Sequence, residues 1–323
     1  MLARLPRTAL RVLIVSKTNL VVSVPTARLH AALAGVPDGV ELIAWDMSGP
    51  APREDIDLVV APYMSAGASE LGQLNGMSVR LVQSQSIGYD GVEASLPANL
   101  VFANATSVHE ASTAELTLAL ILASQRGIPD FVRAAGEGKW APAFHTSLAD
   151  RTVLLVGVGG VGVAIEDRLI PFETTVVRVA RTARSDDRGD IHSFDELPDL
   201  LPAADIVVIG VPLTDSTRHM VDDAFLSRMA DGSLLVNIAR GPVVDTEALL
   251  KHTTSGRLRA ALDVTDPEPL PEGHPLFALP NVLISPHVGG ATTAMEPRMV
   301  KLILRQIERL QTEREPVNIV VRS

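Results

Sequence analysis

The stretch Thr152-Val-Leu-Leu-Val-Gly157-Val-Gly159-Gly160-Val161-Gly162, running straight into Val163-Ala-Ile-Glu-Asp-Arg-Leu169, constrains this chain more than any other. The apolar run at 153–156 predicts a fully buried strand, and the glycines open directly into a helix. Gly157 permits the tight turn, Gly159 lets backbone N–H groups approach a pyrophosphate, and Gly162 allows the helix to pack closely on the strand. The helix N-terminus adds unpaired N–H groups and the positive end of its dipole. Alone, the pattern also fits a plain loop or a metabolite site. A second strand at 175–180, where a βαβ unit needs one, turns the reading toward dinucleotide phosphates held at Gly157, Gly159, Gly160, Val161 and Gly162.

Length and composition fit that reading. A chain of 323 residues with 46% hydrophobic residues suits two α/β domains, each with its own core. A net charge of −10 argues against nucleic acid or an anionic membrane as partner. The absence of cysteine excludes disulfides, thiolate catalysis and cysteine-ligated metal, and it fits a reducing cytoplasm. Arg4, Pro6, Arg7 and Arg11 interrupt any signal-peptide core, and the apolar helix around 116–123 is too short to span a bilayer. A soluble, cytoplasmic protein without a bound metal is expected.

The first hundred residues alternate short apolar strands at 12–15, 42–45, 58–61, 79–83 and 100–103 with segments such as 26–34 and 68–74. This is the pattern of a small parallel α/β domain of flavodoxin-like type. A helix at 109–125 follows, apolar on most faces and expected to be buried between domains or subunits, with Glu115 as a capped or salt-bridged structural carboxylate. From residue 152 the expected strands are 153–156, 175–180, 206–209, 234–238, 260–264 and 282–285, which is the strand set of a doubly wound dinucleotide domain. Finally, 292–311 reads as a helix and 316–321 as an extended tail that returns to the first domain. The expected division is therefore 1–102 plus 290–323 as a substrate domain and 103–289 as a dinucleotide-binding domain.

Ligands of such sheets lie beyond the carboxyl ends of the strands. The residues there are Ala180-Arg181, Val211-Pro212, Ala239-Arg240, Asp263 and Pro286-His287. His287 closes the sixth strand ahead of Val288-Gly289-Gly290, where small residues admit a ligand. The other seven histidines read as surface or satisfied core residues. Glu268 is the partner candidate for His287, because a carboxylate beside an imidazole favours the imidazolium, and an imidazolium is the general acid that a carbonyl needs. Taken alone, Pro267-Glu268-Pro269 is equally a rigid turn with an exposed Glu. Arg240 could clamp a substrate carboxylate in two-pronged fashion, although an isolated Arg-Gly pair is more often a surface feature. Asp263 could accept a hydrogen bond from a carboxamide or cap the loop that follows it.

Together these residues resemble the D-isomer-specific 2-hydroxyacid dehydrogenase family, with a glyoxylate/hydroxypyruvate reductase-like pattern. The match covers Asn237-Ile-Ala-Arg240-Gly241-Pro-Val-Val-Asp245, Ala261-Leu-Asp263-Val264 through Glu268-Pro-Leu-Pro271, and His274-Pro-Leu with Leu279-Pro-Asn281-Val-Leu-Ile-Ser-Pro286-His287. Val211-Pro-Leu-Thr214-Asp-Ser-Thr217 and the glycine loop belong to the same pattern, which runs from about Ser84 to the end. The resemblance puts the catalytic set on Arg240, Glu268 and His287, the nicotinamide-amide acceptor on Asp263, and cofactor contacts on Val211, Pro212, Thr217, Ile238, Ala239 and Gly289. It puts the substrate carboxylate on the backbone N–H groups of Ile87 and Gly88, in Ser84-Gln-Ser-Ile-Gly-Tyr-Asp90. Tyr63-Met64-Ser65-Ala66 and Trp140 are the candidates for the C3 side of the pocket, although Trp140 reads first as an ordinary interface tryptophan. It also implies a cleft between domains, hinge closure, and a homodimer built on the glycine-loop domains with Trp140 in its dimerisation arm.

Two departures stand out. Glu173 occupies a position before the second strand where the family often has glycine. At that strand's end, NAD-binding members carry an acid for the ribose 2′-OH, whereas this chain has Ala180-Arg181-Thr182-Ala183-Arg184, with Asp186 and Asp187 well into the expected loop. Arg181 and Arg184 would attract a 2′-phosphate and Thr182 would donate to it, so NADPH is expected over NADH. The favoured activity is reduction of glyoxylate or hydroxypyruvate to a D-2-hydroxy acid. The alternatives are the same chemistry on 3-phosphoglycerate or a bulkier 2-ketoacid, NAD-linked, and a non-enzymatic dinucleotide-sensing protein of corepressor type. Formate oxidation is disfavoured, since that branch replaces the histidine's acidic partner with glutamine.

Overall fold

The computed structural model describes residues 19–64 and 67–323, so the strand expected at 12–15 lies outside the described residues. The chain divides into two compact units, one of Met1–Ala105 with Glu296–Ser323, the other of Thr106–Met295. In chain order the first unit contributes β1 (Leu20–Val24), α1 (Ala27–Ala32), β2 (Val40–Ala44), β3 (Asp55–Val60) and α2 (Ala68–Gly72). It continues with β4 (Ser78–Gln83), α3 (Val92–Ser95) and β5 (Val101–Ala103). The second unit begins with α4 (Glu110–Gln125), α5 (Ile128–Gly136), β6 (Thr152–Val156), α6 (Gly160–Leu169) and β7 (Thr175–Ala180). Next come β8 (Arg184–Asp186), β9 (Gly189–Ser193), α7 (Leu197–Leu200), β10 (Ile206–Ile209) and α8 (Asp223–Arg228). It ends with β11 (Leu234–Asn237), α9 (Thr246–Thr254), β12 (Arg259–Leu262) and β13 (Val282–Ile284). Helix α10 (Met295–Gln311) and strand β14 (Ile319–Arg322) complete the first unit.

The first sheet has the order β14-β5-β4-β3-β1-β2, with β1 to β5 parallel and β14 antiparallel to β5. Its five parallel strands follow the flavodoxin-like order. Strand β1, Leu-Val-Val-Ser-Val, is buried at every position, although only the run at 12–15 was expected as a strand in this region. Two neighbouring apolar runs satisfy the same pattern, and periodicity does not rank them. Buried Gln306 of α10 donates to Gln83 Oε1 on β4 and to Val317 O, at 2.8 Å each, and so ties helix and tail to the sheet. Pro297, in the first turn of α10, lacks only an N–H that would have no intrahelical acceptor there.

The second sheet runs β13-β12-β11-β10-β6-β7-β9-β8. Counted from β6, it is the doubly wound order, with an added strand at one edge and a hairpin at the other. Both faces are covered. Leu154, Val156, Val207 and Ile209 belong to one apolar cluster, and Val153, Leu155, Ile206 and Val208 to another, as expected for parallel strands buried on both sides. Eight strands replace the six expected, because β8 and β9 carry no apolar run and Ile191 alone is buried between them. Asp186, expected in a loop, therefore lies in β8.

Helix α4 buries Ala114, Leu118 and Ile121 but leaves Glu115 and Ala119 exposed. Within a single copy of the chain Glu115 is exposed: the helix packs on α6 and on β11 and β12 along one side, and Glu115 lies on the other. No helix among the described residues is long and apolar enough to cross a membrane.

Candidate active site

The glycine loop joins β6 to α6. Gly157 has φ +114°, and a Cβ there would come within 2.5 Å of Gly210 O on the neighbouring crossover. A Cβ on Gly162 would meet Gly157 O at 2.1 Å, so helix and strand approach too closely for any side chain. Gly159 is the N-cap of α6 and supplies no side-chain acceptor, so the first-turn N–H groups keep their capacity for an anion. Gly159 and Gly160 are exposed. These features suit a pyrophosphate.

Arg240, Asp263, Glu268 and His287 stem from β11, β12 and β13, three adjacent strands. After β11, buried Asn237 accepts from Ala239 N through Oδ1 and donates to Arg240 O through Nδ2, shaping the turn that carries Arg240. The Arg240 guanidinium donates to Ala239 O at 2.7 Å. Gly241 then packs on the segment leading to Glu268, where a Cβ would sit 1.8 Å from Thr265 O. Thr246 reinforces this contact by donating its hydroxyl to Asp266 O at 2.6 Å.

His287 Nδ1 lies 2.5 Å from Glu268 Oε1. The imidazole is partly exposed, and Nδ1 is taken by the carboxylate, which leaves Nε2 for a substrate. Asp263 is 3% exposed and accepts from Ser285 Oγ, Val288 N and Gly289 N, while its backbone oxygen accepts from His287 N. Its carboxylate therefore caps the loop that follows β13. Thr217 is buried, and its hydroxyl donates to Pro212 O at 2.7 Å, so it closes its own loop. Val211 is buried and Pro212 exposed at the end of β10.

Beyond β7, Arg181, Thr182 and Arg184 are all exposed, and Arg184 donates to Thr182 O at 3.2 Å. Among the described residues neither arginine has a carboxylate within ion-pair distance, whereas Asp186, Glu166 and Asp167 are engaged by other arginines. Arg178 takes Asp186 and Glu166, and Arg188 takes Glu166 and Asp167. The Arg178 hydrogen bonds, followed by the backbone N–H of Arg188, hold the Asp186 carboxyl below its ordinary range.

In the first unit, loop 84–88 is fixed by Ser86 N donating to Ser84 Oγ and by Asn104 Nδ2 donating to Ile87 O. The N–H groups of Ile87 and Gly88 donate to no acceptor among the described residues. Met64 has φ +59° and is exposed. Of the remaining histidines, His252 is buried between Asp223 and Arg257, and His109 is buried against Gly290 O. Ser285 went unnoticed in the sequence, where its only signal is a hydroxyl two residues before His287. No group of residues suited to hold a metal ion occurs among the described residues.

The profile of the D-isomer specific 2-hydroxyacid dehydrogenase NAD-binding domain matches residues 118–289. A glyoxylate reductase of Pyrococcus horikoshii is 30% identical over 306 residues, covering 88% of this chain and 91% of its own. The mouse glyoxylate reductase/hydroxypyruvate reductase is 32% identical over 280 residues, covering 81% and 85%. An NADPH-dependent glyoxylate/hydroxypyruvate reductase of Sinorhizobium meliloti, solved with NADP and malonate, superposes with a TM-score of 0.77 at 26% identity, over 94% of this chain and 97% of that one. With an NAD(P)-type glycine loop, an Arg-Glu-His set on adjacent strand ends and these relatives, the chain belongs to the D-isomer-specific 2-hydroxyacid dehydrogenase family.

Proposed function

We propose that this protein is an NADPH-dependent reductase of small 2-ketoacids, of the glyoxylate and hydroxypyruvate class, forming the D-2-hydroxy acid. The observation that carries the reading is the 2.5 Å contact between His287 Nδ1 and Glu268 Oε1 at the carboxyl edge of the sheet. The glycine loop with Val211, Pro212, Ile238, Ala239 and Gly289 would hold the dinucleotide, which when bound would supply hydride to C2 of the ketoacid. His287 gives the proton to the carbonyl oxygen from Nε2, and Glu268 holds the imidazole in the tautomer and orientation that this transfer requires. Arg240 orients the substrate carboxylate through its guanidinium. The Asp263 Oδ2 lone pair left beside Gly289 N serves the carboxamide.

The choice of NADPH rests on charge. Arg181 and Arg184 are uncompensated while Asp186 is gripped by Arg178, so the turn after β7 favours a 2′-phosphate and Asp186 is not free to take a 2′-OH. NADP bound in the Sinorhizobium meliloti relative supports this choice. A homodimer is part of the reading. Helix α5 has no buried residue and exposes Ile128 and Val132, while Trp140 and Phe144 are 96% and 108% exposed, an apolar surface suited to a second copy. A cytoplasmic location fits a chain without cysteine. The test is oxidation of NADPH and NADH followed spectrophotometrically with a panel of 2-ketoacids. Turnover fastest with NADPH and glyoxylate or hydroxypyruvate supports the proposal, and absence of turnover with every 2-ketoacid removes it.

A further inference from the structure

We propose that Asp263 and Ser285 act as positioning residues that set the imidazole of His287, a role that rests on His287 being the proton donor. Asp263 directly follows β12 with its carboxylate buried, and a buried carboxylate needs compensation. Among the described residues no cation stands within ion-pair distance of it. Three neutral donors compensate it instead: Ser285 Oγ at 2.6 Å and Val288 N at 2.9 Å on Oδ1, and Gly289 N at 2.9 Å on Oδ2. The Asp263 carbonyl takes His287 N at 2.7 Å. One residue thus holds the N–H groups of 287, 288 and 289.

This clamp explains the backbone of His287. Its φ of +54° lies in the left-handed region, where a residue with a side chain persists only if its surroundings over-determine it. Glycine at position 289 eases the approach of the loop to the carboxylate, since a Cβ there would stand a tight 3.0 Å from Asp263 Oδ2. The Ser285 hydroxyl fixes the rotation of the carboxylate by adding a second donor to Oδ1. Without it the carboxylate can turn, the loop relaxes toward ordinary φ, and Nδ1 leaves Glu268. The loss falls on proton transfer and not on dinucleotide affinity, which separates this role from accepting a carboxamide bond.

The test compares wild type with Ser285→Ala, Ser285→Thr and Asp263→Asn. The readouts are the ring nitrogen resonances of His287 in ligand-free protein, NADPH dissociation by fluorescence, and kcat and KM with glyoxylate. Ser285→Ala shifts the His287 ring resonances and lowers kcat about 10-fold, the scale of one lost hydrogen bond to a charged group, with NADPH affinity within about twofold. Ser285→Thr restores both, and Asp263→Asn, which turns an acceptor into a donor facing a backbone N–H, lowers kcat roughly 10²-fold. Unmoved His287 resonances in Ser285→Ala overturn the proposal, as does a loss of kcat in that same variant matched by an equal loss of NADPH affinity. If no 2-ketoacid is reduced, the proposed activity is what fails, and the ligand-free resonances still decide whether the clamp exists.

Discussion

Arg178 grips both carboxylate oxygens of Asp186, with Nη1 to Oδ2 at 3.1 Å and Nη2 to Oδ1 at 2.9 Å. The guanidinium is almost wholly buried and reaches Glu166 as well, at 3.7 Å through Nε. The pair fastens β8 near the end of β7 and leaves Arg181 and Arg184 as the uncompensated charges of the turn. Replacing both with alanine should raise KM for NADPH by about 10–10²-fold, as expected for lost charge-assisted hydrogen bonds, and leave KM for NADH within about twofold. Steady-state kinetics with the two dinucleotides checks this.

The same pair gives the hairpin an acid sensitivity. A carboxyl held below its ordinary value of 3.8 stabilises the fold fully above that value and ceases to do so as pH falls through its lower folded-state value. Asp186→Asn should therefore melt below wild type at neutral pH, and the difference should vanish in acid. Melting curves at both pH values, with hydrogen exchange across 184–193, read it directly.

Removing the imidazole removes the proposed proton donor. His287→Ala should lower kcat by about 10²–10⁴-fold, the usual worth of a positioned acid, with a smaller effect from Glu268→Gln, which keeps an acceptor for Nδ1. Near-normal turnover in His287→Ala would show that the proton comes from elsewhere.

Gly241→Ala would drive a methyl group into the Thr265 carbonyl, a backbone atom that cannot step aside alone. The segment carrying Glu268 must shift. We expect a stability loss of about 1–3 kcal/mol and a lower kcat, measured by denaturant unfolding and steady-state assay.

Glu173 sits at φ +60° directly after the short 3-10 turn Ile170–Phe172, in a conformation that favours glycine. Its N–H and C=O are already bonded to Ile170 O and Asp150 N, so the side chain is not required. Glu173→Gly should stabilise the protein by about 1 kcal/mol, visible as a higher melting temperature with unchanged kcat.

Residues 152–162 were legible because most constraints on them are local, a buried strand, a positive-φ turn and a helix start, even though Gly210 O also closes on Gly157 from the neighbouring crossover. The strands that carry Arg240 and His287 were legible as apolar runs, and the departure at Glu173 surfaced as a left-handed residue. The hairpin β8–β9 was not, since Arg184–Asp186 is exposed at every position and its place is set by a buried arginine across the sheet. Helix α4 was legible only in part. Its composition is apolar all round, yet within a single copy of the chain packing covers only one side, and Glu115 faces out. Ser285 was hidden because its partner lies 22 residues away in sequence.

The first unit is assembled from two stretches of chain separated by the whole of the second, and Gln83 on β4 finds its amide partner in Gln306. During synthesis β1 to β5 leave the ribosome long before α10 and β14, whereas the uninterrupted glycine-loop unit has all its parts sooner. The nascent chain must therefore finish the later unit while the earlier one waits with an unfilled sheet edge. A stalled or clipped product lacking the last turns of α10 would strand that half open, a ready substrate for chaperones and proteases.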